Sequence, residues 1–203
     1  MRIITVSREF GSGGREIGKR LSDALNIAYY DREIVTAIAE STSLDQEYID
    51  KALDNSIFNQ IYPVTFSHTL SSHALGSGVN LLAQQHKVIK KLASKGDCVI
   101  VGRSADALLY EYNPFRLFVY ADMQSKIDRC RNRAPQGENL SDKDYKKKIL
   151  QIDKARAENH DFVSSYSWGD MKNYDLCINT SKIDIKSIIP QLARYTELWF
   201  EEK

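Results

Sequence analysis

Ile3-Ile-Thr-Val-Ser-Arg-Glu-Phe-Gly-Ser-Gly-Gly-Arg-Glu-Ile-Gly-Lys-Arg-Leu-Ser-Asp-Ala-Leu25 is the stretch whose reading decides the fold. It falls into three pieces. Ile3–Val6 is a short, β-branched apolar run, the pattern of a buried strand. Gly11, Gly13 and Gly14 form a loop that can take positive φ and let backbone approach a ligand. Ile17, Leu21, Ala24 and Leu25 then recur at helical spacing on one face. Strand, glycine loop and helix together point free N–H groups and a helix N-terminus at an anion, most often a phosphate. Gly11, Ser12, Gly13, Gly14, Arg15 and Glu16 are therefore the expected anion-binding residues.

The loop departs from the phosphate-binding pattern G-x-x-x-x-G-K-[ST]. With Gly13 as the second glycine, Arg8 holds the first glycine position, Gly14 the lysine position and Arg15 the hydroxyl position. With Gly14 as the second glycine, Glu9, Arg15 and Glu16 take those places. In both alignments the lysine and the hydroxyl are missing. Arg15 can supply a cation, with a fork in place of a point charge. Ser7 or Ser12 can supply a hydroxyl from a different place.

From this stretch outward, the chain's 203 residues suffice for one core with small appended lobes. A formal net charge of +1 argues against a general nucleic-acid coat. Cys98, Cys130 and Cys177 lack C-x-x-C spacing and read as small, reduced core residues of a cytoplasmic protein. No apolar run approaches the roughly 20 residues of a membrane span. Met1 leads almost directly into the first strand, which leaves no room for a signal peptide.

Further strands are expected near residues 27, 98, 115 and 176, alternating with helices, which implies a parallel sheet with right-handed crossovers. Such a sheet binds ligands at the C-terminal ends of its strands. The glycine loop, Asp31-Arg32-Glu33 and Gly102-Arg103-Ser104-Ala105-Asp106 all fall there. Asp31 also suits a helix N-cap. Ser43 with Gln46 fits a capping box. His68 and His73 lack partners at ligand spacing, so no metal site is expected there. Residues 125–133 read as a helix ending in Arg129, Arg131 and Arg133, and residues 141–159 as a charged, largely solvated one carrying Arg156. This pair is either a wet helix face or a lid that covers phosphate. Pro190 either starts or kinks the closing helix.

Four motifs, in order, resemble the cytidylate kinase-like group of P-loop proteins. They are Ser7-Arg-Glu-Phe-Gly-Ser-Gly-Gly-Arg-Glu-Ile-Gly18, Cys98-Val-Ile-Val-Gly-Arg-Ser-Ala-Asp106, Asp153-Lys-Ala-Arg-Ala157, and Trp168-Gly-Asp with Tyr174-Asp-Leu-Cys-Ile-Asn-Thr-Ser181. The resemblance implies an α/β, nucleoside monophosphate kinase-like domain over residues 1–203, with a five-stranded parallel sheet flanked by helices. The core would comprise 1–40, 80–128 and 172–203, a small helical acceptor lobe about 41–79, and a lid about 129–171. By that similarity the loop holds the phosphates of ATP or another nucleoside triphosphate. Asp31, Arg32, Arg103 and Asp106 would face the acceptor, and Arg131, Arg133 and Arg156 would belong to the lid.

Three departures matter. The lysine and hydroxyl are absent, Ser104 stands where cytidylate kinases follow glycine-arginine with aspartate, and Asp31-Arg32-Glu33 replaces their Asp-Ser-Gly. The resemblance thus implies phosphoryl transfer to a small acceptor, with CMP as one candidate, but not cytidine selectivity. Arg15, Arg103 and Arg156 would carry the catalysis. Mg2+ would bridge the donor's phosphates, with Ser12, Glu16 or Asp106 as alternative protein ligands. Small-molecule nucleotides are the expected partners, rather than nucleic acid or membrane. A nucleotide-binding protein without turnover, or a kinase for a non-nucleotide acceptor, are the alternatives.

Overall fold

The computed structural model describes residues 1–42, 44–47, 49, 72–135 and 137–202, with 72–80 described by their backbone. Strands β1 (Ile3–Arg8), β2 (Ala28–Tyr30), β3 (Cys98–Val101), β4 (Phe115–Tyr120) and β5 (Leu176–Asn179) form one parallel sheet in the order β2-β3-β1-β4-β5. From β1 the chain winds through β2 and β3 on one side, then crosses to β4 and β5 on the other. The first strand is thus central, and Ile4 sits opposite both Val99 and Phe115. The crevice of such a sheet opens where the winding reverses, which here is the C-terminal end of β1.

Alternation along the strands explains the two cores. Ile3, Cys98 and Ile100 face one side, packed against Ile34, Val35 and Ile38 of α2 (Arg32–Thr42) and Ile89, Leu92 and Ala93 of α3 (Ser72–Ala93). Ile4, Val6, Val99, Val101, Leu117 and Val119 face the other, against Ile17 and Leu21 of α1 (Gly14–Leu25) and Ile185, Ile189 and Leu192 of α7 (Ile185–Glu201). A sheet buried on both faces needs apolar residues at successive positions, which is why the strands were legible as short apolar runs. Cys98, Cys130 and Cys177 are free, and burial pushes the Cys98 thiol up to about 12, so it packs as a neutral core residue.

Three shorter expectations are sharpened. Helix α7 begins at Ile185, capped by Asp184, and runs through Pro190. After the short helix α4 (Ala105–Leu108), helices α5 (Met123–Asn132) and α6 (Asp142–Val163) are joined as expected, with a capping box between Ser141 and Asp144 opening α6. Yet α6 is less solvated than its charge suggests: Tyr145, Ile149, Ala155 and His160 are buried. Most of its charges sit on the outer face, but Asp153 and Arg156 turn inward, and the inner face carries few apolar residues because it meets loops and not a sheet. Most of the expected acceptor lobe, including Ser43 and His68, lies outside the described residues, and His73 is described by backbone only. Among the described residues no helix is long and apolar enough to cross a membrane.

Candidate active site

Beyond Arg8 the chain turns through Glu9–Gly13 into α1. Gly11 and Gly13 take φ of 77° and 86°, which only glycine adopts without strain. Gly13 is the N-cap and makes no side-chain cap, so the first N–H groups of α1 keep no intrahelical partner. A helix opening at Gly14 favours the alignment in which Gly14 stands at the lysine position, Arg15 at the hydroxyl position and Arg8 at the first glycine.

The loop is held from several sides. Asp153 of α6 accepts the Phe10 N–H at 2.6 Å. Lys126 of α5 donates to Glu9 Oε2 at 3.0 Å and reaches Asp153 at 3.5 Å. Thr180, just past β5, donates to the Ser12 carbonyl at 2.7 Å. Arg129 binds the Thr180 backbone and reaches the Gly11 carbonyl. Burial keeps the Asp153 carboxyl above its ordinary value, against the pull of the Phe10 N–H, Arg156 and Lys126. The glycine loop is therefore shaped before any ligand arrives.

Arginines dominate what faces this loop. A cavity of about 410 Å³ opens over it, lined by Gly11, Gly13, Gly14 and Arg15 on one side and by Arg129, Arg133 and Tyr145 on the other. A smaller cavity of about 50 Å³ lies toward β3 and α6, lined by Ser7, Gln85, Ser104, Asn159, His160 and Trp168. Arg8, Arg103 and Arg156 line both. Arg156 donates to the Arg8 carbonyl at 3.0 Å. Arg103 projects from a turn in which Gly102, Arg103 and Ser104 all have positive φ, and Gln85 donates to the Arg103 carbonyl. Left-handed backbone at two consecutive non-glycine residues is costly and is typically maintained where a side chain must be aimed.

The remaining expected residues divide. Arg15 is paired with Asp31, Nε to Oδ2 at 2.6 Å, so Asp31 serves Arg15 with the carboxylate expected to cap α2. Arg32 lines the larger cavity beside Arg15. Arg133 also lines it and bonds Glu16 at 2.7 Å. Arg131 instead binds Asp142 and lies over the Tyr145 ring, and it does not line either cavity. Asp106 is 1% exposed beneath the Arg103 turn. Its Oδ2 meets His160 Nε2 at 3.0 Å and accepts from Tyr166 at 3.2 Å. Burial would raise the Asp106 carboxyl, but these bonds outweigh it and hold the group below its ordinary value. Burial would likewise depress His160, yet Asp106 and then Asp161 raise it.

Residues that sequence reading passed over do much of this. Arg8 was noted only as a position in the alignment. Lys126 and His160 carry no local pattern, since their partners lie far along the chain. Asp153 and Thr180 stand inside motifs that carry the family resemblance, but with no role read for them, although Thr180 also lies at the C-terminal end of a strand, where ligands gather.

A family model, the cytidylate kinase-like family, matches residues 3–182. The chain belongs to this family. A cytidylate kinase from Haloarcula marismortui is 23% identical over 190 residues, covering 92% of this chain and 85% of that protein. Among solved structures, an uncharacterized protein from Eubacterium ventriosum shares 25% identity with a TM-score of 0.67, covering 97% of this chain and 99% of that one. Shikimate kinase from Bacteroides thetaiotaomicron, at 14% identity and TM-score 0.55 over 97% and 98% of the two chains, shares the kinase fold.

A kinase-like family brings a nucleoside triphosphate and Mg2+ into question, and the residues answer differently for each. The triphosphate fits: an uncapped helix N-terminus, a glycine loop and a crowd of arginines meet in one cavity. The three protein ligands expected for Mg2+ do not. Ser12 is fully buried, with its hydroxyl donated to the Glu9 carbonyl. Glu16 is shared by Arg20 and Arg133, and Asp106 is sealed under His160 and Tyr166. Among the described residues no three His, Cys, Asp or Glu gather as a metal site.

Proposed function

We propose that this member of the cytidylate kinase-like family transfers a phosphoryl group from a nucleoside triphosphate such as ATP to a small acceptor, a nucleoside monophosphate such as CMP being the first to test. The observation that carries this reading is the sharing of Arg8, Arg103 and Arg156 between the two cavities. A donor over the glycine loop and an acceptor whose reacting end reaches into the smaller cavity would meet at these three cations. In that transfer the bond from the donor's terminal phosphorus to its bridging oxygen breaks, one from an acceptor oxygen forms, and the diphosphate leaves. Catalysis of such a step is mostly positioning and charge neutralisation.

Each residue then has a role. The first N–H groups of α1 bind the donor's phosphates, with Arg129 and Arg133 above them. Arg103 and Arg156 orient acceptor and transferring group. Arg15, held by Asp31, and Arg32 stand on the donor's side, along the larger cavity. Magnesium would arrive on the triphosphate, since Ser12, Glu16 and Asp106 are each engaged elsewhere. The test is a screen of ATP and other triphosphates with CMP, dCMP, UMP and AMP. Turnover with at least one acceptor, lowered about 100-fold by Arg103→Ala, is expected; no turnover with any, and no effect of Arg103→Ala on ATP binding, would refute it.

One observation favours a second reading, nucleotide binding without turnover: Gly14 and Arg15 stand at the lysine and hydroxyl positions. ATP-dependent thermal stabilisation without transfer to any acceptor would select it.

A further inference from the structure

We propose that Arg8 supplies the phosphate-gripping cation of this site, in exchange for the lysine missing at position 14; this rests on the phosphotransferase reading above. The glycine loop's two unusual positions are sterically coupled. A Cβ on Gly14 would lie 2.5 Å from Arg8 Cβ and 2.9 Å from its Cγ, with Val119 Cβ at 3.3 Å. No two such carbons coexist at that separation. Side chains at both position 8 and position 14 would thus force one of the two segments to shift. The usual pattern has glycine first and lysine seventh; this chain has arginine first and glycine seventh.

The path of the Arg8 side chain supports the exchange. A Cβ on Gly102 would lie 1.6 Å from Arg8 Nη1, so a second glycine is needed to let the guanidinium pass. Arg8 therefore runs between the glycine loop and the Arg103 turn and lines both cavities. Arg15, the other candidate cation, is held by Asp31. Burial presses the Arg8 guanidinium well below its ordinary value, and Arg156, Arg103 and Arg15 add to this while Asp31 opposes. Guanidinium keeps its proton under these conditions, so the pressure amounts to positive charge in want of an anion. A terminal phosphate between Arg8, Arg103 and Arg156 would supply it, and a fork suits its oxygens.

The exchange can be made in reverse. Four variants, Arg8→Gln, Gly14→Lys, Arg8→Gly and the double Arg8→Gly/Gly14→Lys, are compared with wild type by melting temperature without ligand, ATP-dependent melting shift, and turnover with the acceptor found in the screen. Gly14→Lys alone should lower the ligand-free melting temperature, and adding Arg8→Gly should restore it. Arg8→Gln should keep the ligand-free melting temperature while losing about 100-fold in kcat/KM for ATP and most of the ATP-dependent shift. The double variant, with its ammonium at position 14, should recover most of both where Arg8→Gly does not. Unchanged kcat/KM and ATP shift in Arg8→Gln, or a double variant no better than Arg8→Gly, overturns the proposal while leaving phosphoryl transfer standing. A wild-type protein that neither gains stability from ATP nor turns it over overturns both.

Discussion

At the scale of single residues, His160 and Asp106 fix the site's foundation. Both side chains are 1% exposed, and they meet at 3.0 Å directly beneath the Arg103 turn. The signs of their shifts predict a pH window. A raised imidazole contributes stability in full below its ordinary 6.5, and loses it as pH rises through the folded value. A depressed carboxyl contributes above its ordinary 3.8, and loses it as pH falls through the folded value. The pair therefore contributes most between those two values. Urea midpoints measured from below pH 3.8 to above pH 6.5 should be highest within that window in wild type and fall on either side, and His160→Gln should flatten the decline on the alkaline side. A second prediction concerns Gly14. Even one methyl meets Arg8 Cβ at 2.5 Å, so Gly14→Ala should cost about 1–3 kcal/mol in chemical denaturation, as overpacking does. An unchanged midpoint would show that Arg8 moves aside freely.

Among the elements, α6 deserves the most weight because one face of it touches every part of the site. Ile149, Asp153, Arg156 and His160 recur at helical spacing along a single stripe. Ile149 packs with Tyr145 and Ile127 of α5, Asp153 holds the Phe10 N–H, Arg156 the Arg8 carbonyl, and His160 the Asp106 carboxylate. The helix ties the glycine loop to the Arg103 turn, so a ligand that tightens one should be felt at the other. Asp153→Ala leaves the Phe10 N–H without its acceptor and Lys126 with Glu9 alone; a loss of about 1–3 kcal/mol is expected by urea unfolding. Asp153→Asn, which keeps an acceptor oxygen, should lose less. Equal losses would mean that the charge on Asp153, and not the bond to Phe10, secures the loop.

The same comparison of elements shows what the sequence could reveal. Strands β1, β3 and β4 were legible because burial on both faces demands consecutive apolar residues. The glycine loop was legible because three glycines, two of them at positive φ, fall within four residues. The α6 stripe was not: only Ile149 is apolar among its four members, so the periodicity that marks a core-facing helix was missing and the helix read as solvated. Arg8 was hidden for another reason. Its role depends on empty space over Gly14 and Gly102, and the second of these lies beyond two strands and three helices of the described residues. Of the arginines the sequence singled out, Arg103 and Arg156 come together, whereas Arg131 turns to Asp142.

On the scale of the whole molecule, the account comes down to geometry at the head of the central strand. The fold winds outward from β1 in both directions, so whatever stands at its C-terminal end sits between the two halves of the crevice. Arg8 occupies that place, with Arg103 delivered by β3 and Arg156 by α6. A crystal structure of the protein with a non-hydrolysable ATP analogue and Mg2+ tests this most directly. The terminal phosphate should lie within hydrogen-bonding distance of Arg8, Arg103 and Arg156, with the preceding phosphates against the first N–H groups of α1. A triphosphate seated elsewhere, or one whose terminal phosphate meets none of the three guanidinium groups, would contradict the account.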